Sequence, residues 1–224
     1  MNRKTIIYFV CLLSWGVSLT GCASLGMETK EGQLISQSPP FSCPMPSEFR
    51  LVHSFENPGE NSNTRAYIYI KEKEKDNQLE EMLIVQIADR TNPAAGPITA
   101  PRLKPYAEEN MYLKDKVKEG EVEGDYLIQI MAWNPQASSL QPIVEQGITI
   151  PSTLALQGQF QSIYQKEHAV SIRYSKDVHS FGLSLSAEES TWRRDSISGN
   201  EKQAYEIFKE NFLKMIHCSY SKNP

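Results

Sequence analysis

Beyond the first 40 residues, apolar and polar side chains alternate in several short segments, as in β-strands with buried faces. In Arg65–Ile70, tyrosines alternate with isoleucines, so that Tyr67 and Tyr69 share one side of the predicted strand. A charged stretch follows, and Met82–Ile87 then resumes the apolar pattern. The two segments are predicted to form a hairpin with a charged, solvated tip.

Three further segments have the composition of strands. Tyr126–Trp133 is strongly apolar and is predicted to be a central strand. Thr149–Phe160 contains Pro151 and Gly158, which predicts an edge strand or a bent one. Ala169–Tyr174 alternates regularly and is predicted to be another strand.

The last part of the chain has the periodicity of an amphipathic helix. Asn200 is suited to cap a helix that begins at Glu201. Apolar residues then recur at steps of three and four, at Tyr205, Phe208, Phe212 and Met215. Such a face requires an apolar partner, and the predicted sheet supplies one.

Between the second and third predicted strands, the chain changes character. Thr91–Pro105 holds four prolines and a glycine and predicts a long loop, of a length that is uncommon unless functional or disordered. Pro105–Lys118 has acids near its start and lysines near its end, which predicts a helix. A polar hairpin through Gly120 and Gly124 is the alternative.

The predicted fold class is α+β: a largely antiparallel, twisted sheet with the C-terminal amphipathic helix packed on one face. The length of the chain suits a single globular domain, which is predicted at residues 41–224. Residues 22–40 are mostly small and polar and end in Pro39 and Pro40, so they are predicted to be a flexible tether.

The first 21 residues have the layout of an export signal. Arg3 and Lys4 precede Ile6–Val17, a run of 12 residues that is apolar apart from Ser14. A membrane-spanning helix needs about 20 such residues, so this run is typical of the core of a cleaved signal peptide.

The residues Leu19-Thr20-Gly21-Cys22 resemble the lipobox of bacterial lipoproteins. The resemblance, which covers residues 1–22, implies cleavage between Gly21 and Cys22 and a diacylglycerol on the Cys22 thiol, with a further acyl chain such as palmitate on its amino group. It also implies a cell-envelope location on the membrane. Because Ala23 follows rather than aspartate, the expected membrane is the outer one if the organism is Gram-negative.

Export determines the expected state of the cysteines. Cys11 leaves with the signal and Cys22 carries lipid, which leaves Cys43 and Cys218. In an oxidising compartment these two are predicted to form a disulfide, with two buried thiols as the alternative.

The processed chain loses two of 23 basic residues and none of 27 acidic ones, so its net charge moves from −4 to −6 and nucleic-acid binding is not expected.

The sequence contains no motif that indicates a catalytic site, a metal site or a cofactor. Gly182–Ser186 lacks the second glycine of a nucleophile elbow. The histidines are scattered, at His53, His168, His179 and His217. Trp192-Arg193-Arg194 is a candidate for gripping an anion, with solvated arginines at a helix end as the alternative.

The leading functional hypothesis is a non-enzymatic binding or accessory module, held on the membrane by lipid and meeting an envelope protein partner. The surfaces that it would use are the loop Thr91–Pro105 and the aromatic side formed by Tyr67 and Tyr69. A structural subunit of an envelope assembly is one alternative. The other is an envelope hydrolase whose histidines meet a carboxylate and a hydroxyl only in the folded chain.

Replacing Cys22 by serine removes the thiol that would accept the lipid. We expect Cys22→Ser to remain uncleaved and unacylated, whereas Cys11→Ser, a matched change inside the signal, is processed normally. Intact-mass measurement of the membrane fraction distinguishes the two. Normal trimming and full membrane retention of Cys22→Ser would contradict the lipoprotein prediction.

Overall fold

The computed structural model describes residues 26–46, 48–100, 102–119, 122–183, 192–197 and 199–220. The predictions for the signal peptide and for Gly21 and Cys22 lie outside these residues. The strands are β1 Met27–Lys30, β2 Gln33–Gln37, β3 Pro40–Pro44, β4 Arg50–Pro58, β5 Ser62–Glu72, β6 Leu79–Arg90, β7 Tyr112–Glu119, β8 Val122–Ala132, β9 Leu154–Tyr164, β10 His168–Asp177 and β11 Ser219–Tyr220. The α-helices are α1 Gln141–Glu145 and α2 Gly199–Ile216, and the 3-10 helices are Pro93–Ala95 and Val178–Phe181.

The described strands form two antiparallel sheets. The large sheet has seven strands in the order β4-β5-β6-β10-β9-β8-β7, and the small sheet has four in the order β1-β2-β3-β11. Successive strands are hydrogen-bonded neighbours in most of the large sheet, as hairpin connections require. The prediction of an α+β chain with largely antiparallel strands and a C-terminal helix is confirmed, but the strands form two sheets instead of the single sheet predicted.

The large sheet buries apolar side chains on both faces. The predicted hairpin is confirmed as β5 and β6, which pair from Ser62–Arg90 to Glu72–Leu79. Tyr67 and Tyr69 belong to the apolar cluster on one face, and Ile68 and Ile70 belong to the cluster on the other. We call the first face the helix face, because α2 packs on it, and the second the open face.

The amphipathic helix packs where the prediction placed it. The buried side of α2 consists of Ala204, Phe208, Phe212, Met215 and Ile216. The Phe208 ring stacks on the Tyr174 ring at a centroid distance of 5.1 Å. The Phe212 ring occupies the space above Gly158, where an added Cβ would lie 2.5 Å from Phe212 Cδ2. Gly158 therefore lets the helix approach β9 closely.

The small sheet covers the rest of the helix face and joins the two ends of the described chain. Met27, Leu34 and Phe41 are buried in the same cluster as α2. β11, which directly follows α2, pairs with β3, and the predicted disulfide between Cys43 and Cys218 is formed there. It spans 175 residues of sequence, so it restricts most of the unfolded chain.

The predicted tether is wrong for the residues that the structure describes within it. Residues 26–40 form β1 and β2 rather than a flexible segment, with a turn at Glu31 and Gly32, whose φ angles are 50° and 74°. These strands are short, and each buries few apolar residues, so they have little local periodicity. Their stability comes from pairing with β3 and from packing on the helix face.

The helix predicted for Pro105–Lys118 is also wrong, and the alternative hairpin is correct. Residues 112–119 form β7, which pairs with β8. The lysines at 114, 116 and 118 lie at every second position of this edge strand, where charge discourages pairing with another chain. The same charge order also suits a helix C-terminus, which is why the local pattern was misleading.

Smaller differences concern positions within the large sheet. β8 is not central but second from an edge, and β9, predicted to be an edge or bent strand, lies inside the sheet between β8 and β10. Pro151 precedes β9 and does not interrupt it.

The helix α2 begins at Gly199 instead of the predicted Glu201. Within the described residues, no helix is long and apolar enough to cross a membrane.

Gly158→Ala should destabilise the fold by about 1–3 kcal/mol, because the added methyl overlaps the Phe212 ring. In a Phe212→Leu background, the cost of the same change should be smaller, since the smaller side chain can yield. Urea unfolding of the four proteins of this double-mutant cycle gives the coupling. Equal costs of Gly158→Ala in both backgrounds would show that the helix does not pack on Gly158.

Candidate functional site

The open face is covered at its two ends by different parts of the chain. At one end, Leu140, Ile143 and Ile148 from the segment 134–150 pack on Ile68 and Ile70. At the other end, Ile98 and Ala100 from the loop 91–105 lie over the sheet. A strip of the face between these two covers remains accessible.

This strip forms a groove with two adjoining cavities of about 430 and 320 Å³. Both cavities share Gln86, Ser171 and Arg173. Volumes of this size are in the range of small-ligand sites. We call this feature the open-face groove; its floor and walls include Phe55, Ala66, Ile68, Ile84, Gln86, Ile98, Thr99, Ala100, Ser138, Ser139, Gln161, Ser171 and Arg173.

The strand register orders the floor in rows across the sheet. One row runs through Phe55, Ala66, Gln86, Ser171 and Gln161, each opposite the next on neighbouring strands. Directly opposed residues of antiparallel strands project to the same face. The row therefore passes from an apolar end on β4 and β5 to a polar end on β10 and β9.

A second row passes through Ile68, Ile84, Arg173 and Gln159 with the same gradient. Among the described residues, the partly exposed Arg173 guanidinium has neither an ion pair nor a hydrogen bond. The residues that line the two cavities also include no aspartate or glutamate. The groove thus presents one uncompensated positive charge, although the whole chain is acidic.

Hydrogen bonds hold both walls of the groove in position. On the loop side, the Ile98 amide donates to the Lys166 carbonyl at 3.0 Å, and Arg90 Nη1 donates to the Gly96 carbonyl at 2.9 Å. On the other side, the Leu140 amide donates to the Ala137 carbonyl at 2.8 Å, which folds the chain at Ser138 and Ser139.

Glutamine side chains fix the floor beside the groove. Gln129 Nε2 donates to Gln157 Oε1 at 3.1 Å, and Gln157 Nε2 donates to Ser175 Oγ at 3.2 Å. Gln159 Nε2 also donates to Gln157 Oε1, at 2.6 Å. These bonds satisfy the polar groups of the glutamine side chains, so the side chains next to the groove are held in fixed positions.

A cavity of about 380 Å³ on the helix face is richer in charge but compensated. The buried Glu81 carboxylate accepts from Tyr174 Oη at 2.6 Å and from Lys176 Nζ at 2.8 Å. Lys71 Nζ lies 3.6 Å from the same carboxylate. Burial, together with Glu81, raises the pKa of Tyr174, so the hydroxyl keeps its proton and remains a donor. This cluster has the features of a structural network.

His168 takes part in an ionic cluster between the two sheets. Its Nδ1 lies 2.7 Å from Asp89 Oδ1, and Arg65 Nη2 donates to Asp89 Oδ2 at 2.7 Å. Arg65 Nη2 also donates to the Ser38 carbonyl next to the small sheet. Both oxygens of Asp89 are therefore engaged, and the cluster links the sheets.

The other histidines lie apart from one another. His53 contacts the Phe55 ring on β4, and His179 lies 4.0 Å from Asp177. His217 follows the last residue of α2. In the part of the chain that the structure describes, no three histidine, cysteine or acidic side chains are grouped so that they could hold a metal ion.

Two of the predicted binding surfaces are not formed as expected. Tyr67 and Tyr69 are 1% and 2% exposed, so they belong to the core and cannot contact a partner. Trp192 is fully buried, and Arg194 stacks on Tyr112 instead, with its guanidinium carbon 4.3 Å from the ring centre. The loop Thr91–Pro105, in contrast, contributes a wall to the groove.

Sequence reasoning missed Arg173 and its polar neighbours. In Ala169–Tyr174, Ser171 and Arg173 alternate with buried Val170 and Ile172, and this alternation predicted a strand but no role for its polar side chains. Polar residues at alternate positions in several interior strands are the signal that could have shown a shared polar surface. Which of these strands are neighbours was not readable from the alternation.

The comparisons with known proteins provide no family for this chain. Neither a protein-family model, nor a curated protein sequence, nor a solved structure matches it.

The Asp89 cluster predicts a pH-dependent contribution to stability. Burial tends to raise the pKa of Asp89, but the hydrogen bond from His168 and the charge of Arg65 outweigh it and hold this pKa below the usual 3.8. A lowered folded-state pKa stabilises the fold above the unfolded-state value, and this contribution is lost as the pH falls through the folded-state value.

We therefore expect Asp89→Asn to reduce the free energy of unfolding by about 1–3 kcal/mol at neutral pH. The difference from the wild type should shrink as the pH is lowered below 3.8. Urea unfolding at neutral and at acidic pH measures both values. A difference that stays constant with pH would contradict this role of the Asp89 charge.

Proposed function

We propose that this chain is a lipid-anchored protein of a bacterial cell envelope that binds a polar, anionic ligand in the open-face groove without transforming it. The anchor rests on the resemblance of residues 1–22 to a lipoprotein signal, and the ligand site rests on Arg173. The single observation that carries the binding role is that the Arg173 guanidinium has no partner among the described residues, in a groove whose described lining holds no carboxylate.

A charge that is partly withdrawn from water and has no partner is energetically unfavourable. Arg173 is partly withdrawn from water by the sheet around it, so an anionic group that binds there gains a charge-assisted, bidentate contact. The amides of Gln86 and Gln161 and the hydroxyl of Ser171 lie on the same face and can complete the hydrogen bonds of the ligand.

The composition of the groove favours binding over chemistry. Its lining residues offer hydroxyls and amides but no histidine, cysteine or carboxylate that could act as a base beside a nucleophile. The Asp89–His168 pair projects to the helix face and engages Arg65 instead. These observations support a binding module over the alternative of an envelope hydrolase.

The outer strand β4 favours a second candidate, a structural subunit of an envelope assembly. Its side chains are largely exposed, including Leu51 at 45% and Phe55 at 42%, and β4 has no lysine comparable to those of β7. The outer strand of a sheet can pair with a strand added by a partner protein. Co-purification of a protein at fixed stoichiometry from crosslinked envelopes would favour this candidate.

The binding role is tested with small soluble probes and the acylated protein in detergent. The probes are D-galacturonate, D-galactose, L-glutamate and glycerol phosphate. At least one anionic probe should shift the NMR signals of the Arg173 Nε–H and the Gln86 amide in a saturable way. Arg173→Gln should abolish this effect, because it removes the charge while keeping a polar side chain of similar reach.

Lys202→Gln is the matched control, since it removes an exposed positive charge from α2, on the other face of the sheet. This variant should respond to the probes as the wild type does. If no anionic probe perturbs these signals, or if Arg173→Gln responds equally, the groove is not an anion-binding site and the proposed function fails.

A further inference from the structure

The open-face groove is long compared with a small ion. It runs from Phe55 on β4, across β5, β6 and β10, to Gln161 on β9. Four intervals between neighbouring strands amount to about 19 Å. A ligand that uses the whole groove is therefore elongated, and the carboxylate of a single sugar or amino acid would occupy only the part beside Arg173.

Uncharged polar side chains dominate the part of the groove around Arg173. Ser138 lines one cavity and Thr99 the other, while Gln86 and Ser171 are common to both. Hydroxyls and amides can each donate and accept hydrogen bonds, which matches the hydroxyls of a sugar. The same groups would lose hydration without compensation beneath a hydrocarbon chain, so a lipid tail does not fit this surface.

The apolar end of the groove carries an aromatic ring at its margin. Phe55 lies opposite Ala66 in the strand register, is 42% exposed, and contacts the His53 ring at a centroid distance of 6.0 Å. A flat, partly exposed ring at the end of a polar groove offers a platform for the C–H face of a sugar ring.

Peptides and nucleic acids fit the groove less well. The backbone groups beneath the groove are hydrogen-bonded within the interior strands β5, β6 and β10, so a peptide cannot pair with them as an added strand. A nucleic acid requires several cations along its phosphates, whereas the residues lining this groove provide Arg173 and no lysine.

We infer that the open-face groove binds a linear acidic oligosaccharide, with a carboxylate of one sugar unit on Arg173 and a unit further along the same oligosaccharide against Phe55. This inference rests on the proposed function, because it names the ligand class of the same groove. Arg173 supplies the attraction for the acid, the serine, threonine and glutamine side chains pair with sugar hydroxyls, and Phe55 marks the end of the site.

The test compares tetragalacturonate with its monomer, galacturonate, on the full acylated chain in detergent, by titration calorimetry and by NMR. The tetramer should bind about tenfold tighter or more, since it engages both Arg173 and Phe55. Arg173→Gln should weaken tetramer binding about tenfold, whereas Arg173→Lys, which keeps the charge, should restore part of the affinity.

Phe55→Ala separates length recognition from charge recognition. It should weaken binding of the tetramer several-fold and leave binding of galacturonate unchanged. Leu51→Ala, a change of another exposed apolar side chain on the same strand, is the matched control and should alter neither. Unchanged urea unfolding midpoints for these variants exclude a general loss of structure as the cause.

The possible failures are distinguishable. If the tetramer binds no tighter than galacturonate, or if glycerol phosphate or a glutamate-rich peptide binds better than the tetramer, the oligosaccharide inference is overturned and the anion-binding groove stands. If none of the anionic probes binds, both the inference and the proposed function are overturned.

Discussion

Apolar side chains on both faces of the large sheet impose the main constraint on this fold. A sheet with two apolar faces needs cover on each, and the chain provides it unequally. The helix face is closed by α2 and by the small sheet, which together bury aromatic rings such as Phe208 and Phe212. The Cys43–Cys218 disulfide joins these two covers, so neither can leave the sheet independently while the bond is intact.

The open face is covered only at its ends, and its composition follows from that. Where the segment 134–150 packs, the sheet carries Ile68, Ile70 and Met82. Between the covers, the sheet instead carries Gln86, Ser171 and Arg173, because an apolar strip of this length would expose a large hydrophobic patch. The polar groove therefore lies where the sheet is not covered. The two covering segments on either side form its walls and so give it depth.

The charged groups are distributed in a way that singles out the groove. At the ends of the helix face, Asp89 is engaged by Arg65 and His168, and Glu81 is engaged by Lys71 and Lys176. Buried Asp177 likewise pairs with Lys73 at 2.8 Å. In each of these pairs the charge of one group is compensated by its partner, as buried charges generally require. Arg173 lacks such a partner within the described residues, which is why the proposed ligand is an anion.

The sequence by itself determined the elements with strong periodicity. The alternation in Arg65–Ile70 established a strand with two apolar sides, and the spacing of Phe208 and Phe212 established a helix with one buried side, since both patterns are repeated locally. The pairing of Cys43 with Cys218 followed from their number and from the expected compartment. The signal and lipid site at Cys22 remain predictions from residues 1–22.

Tertiary structure alone decided the features that depend on non-local pairing. β1 and β2 exist because β3 pairs with β2 and the helix face accepts Met27 and Leu34, and no local pattern indicates this. β7 is a strand because β8 lies beside it, although its charge order also suits a helix. The groove exists because β6 and β10 are neighbours, although Gln86 and Ser171 are 85 positions apart in the chain. A sequence shows which side of a strand is polar, but only the order of strands in the sheet shows which polar sides meet.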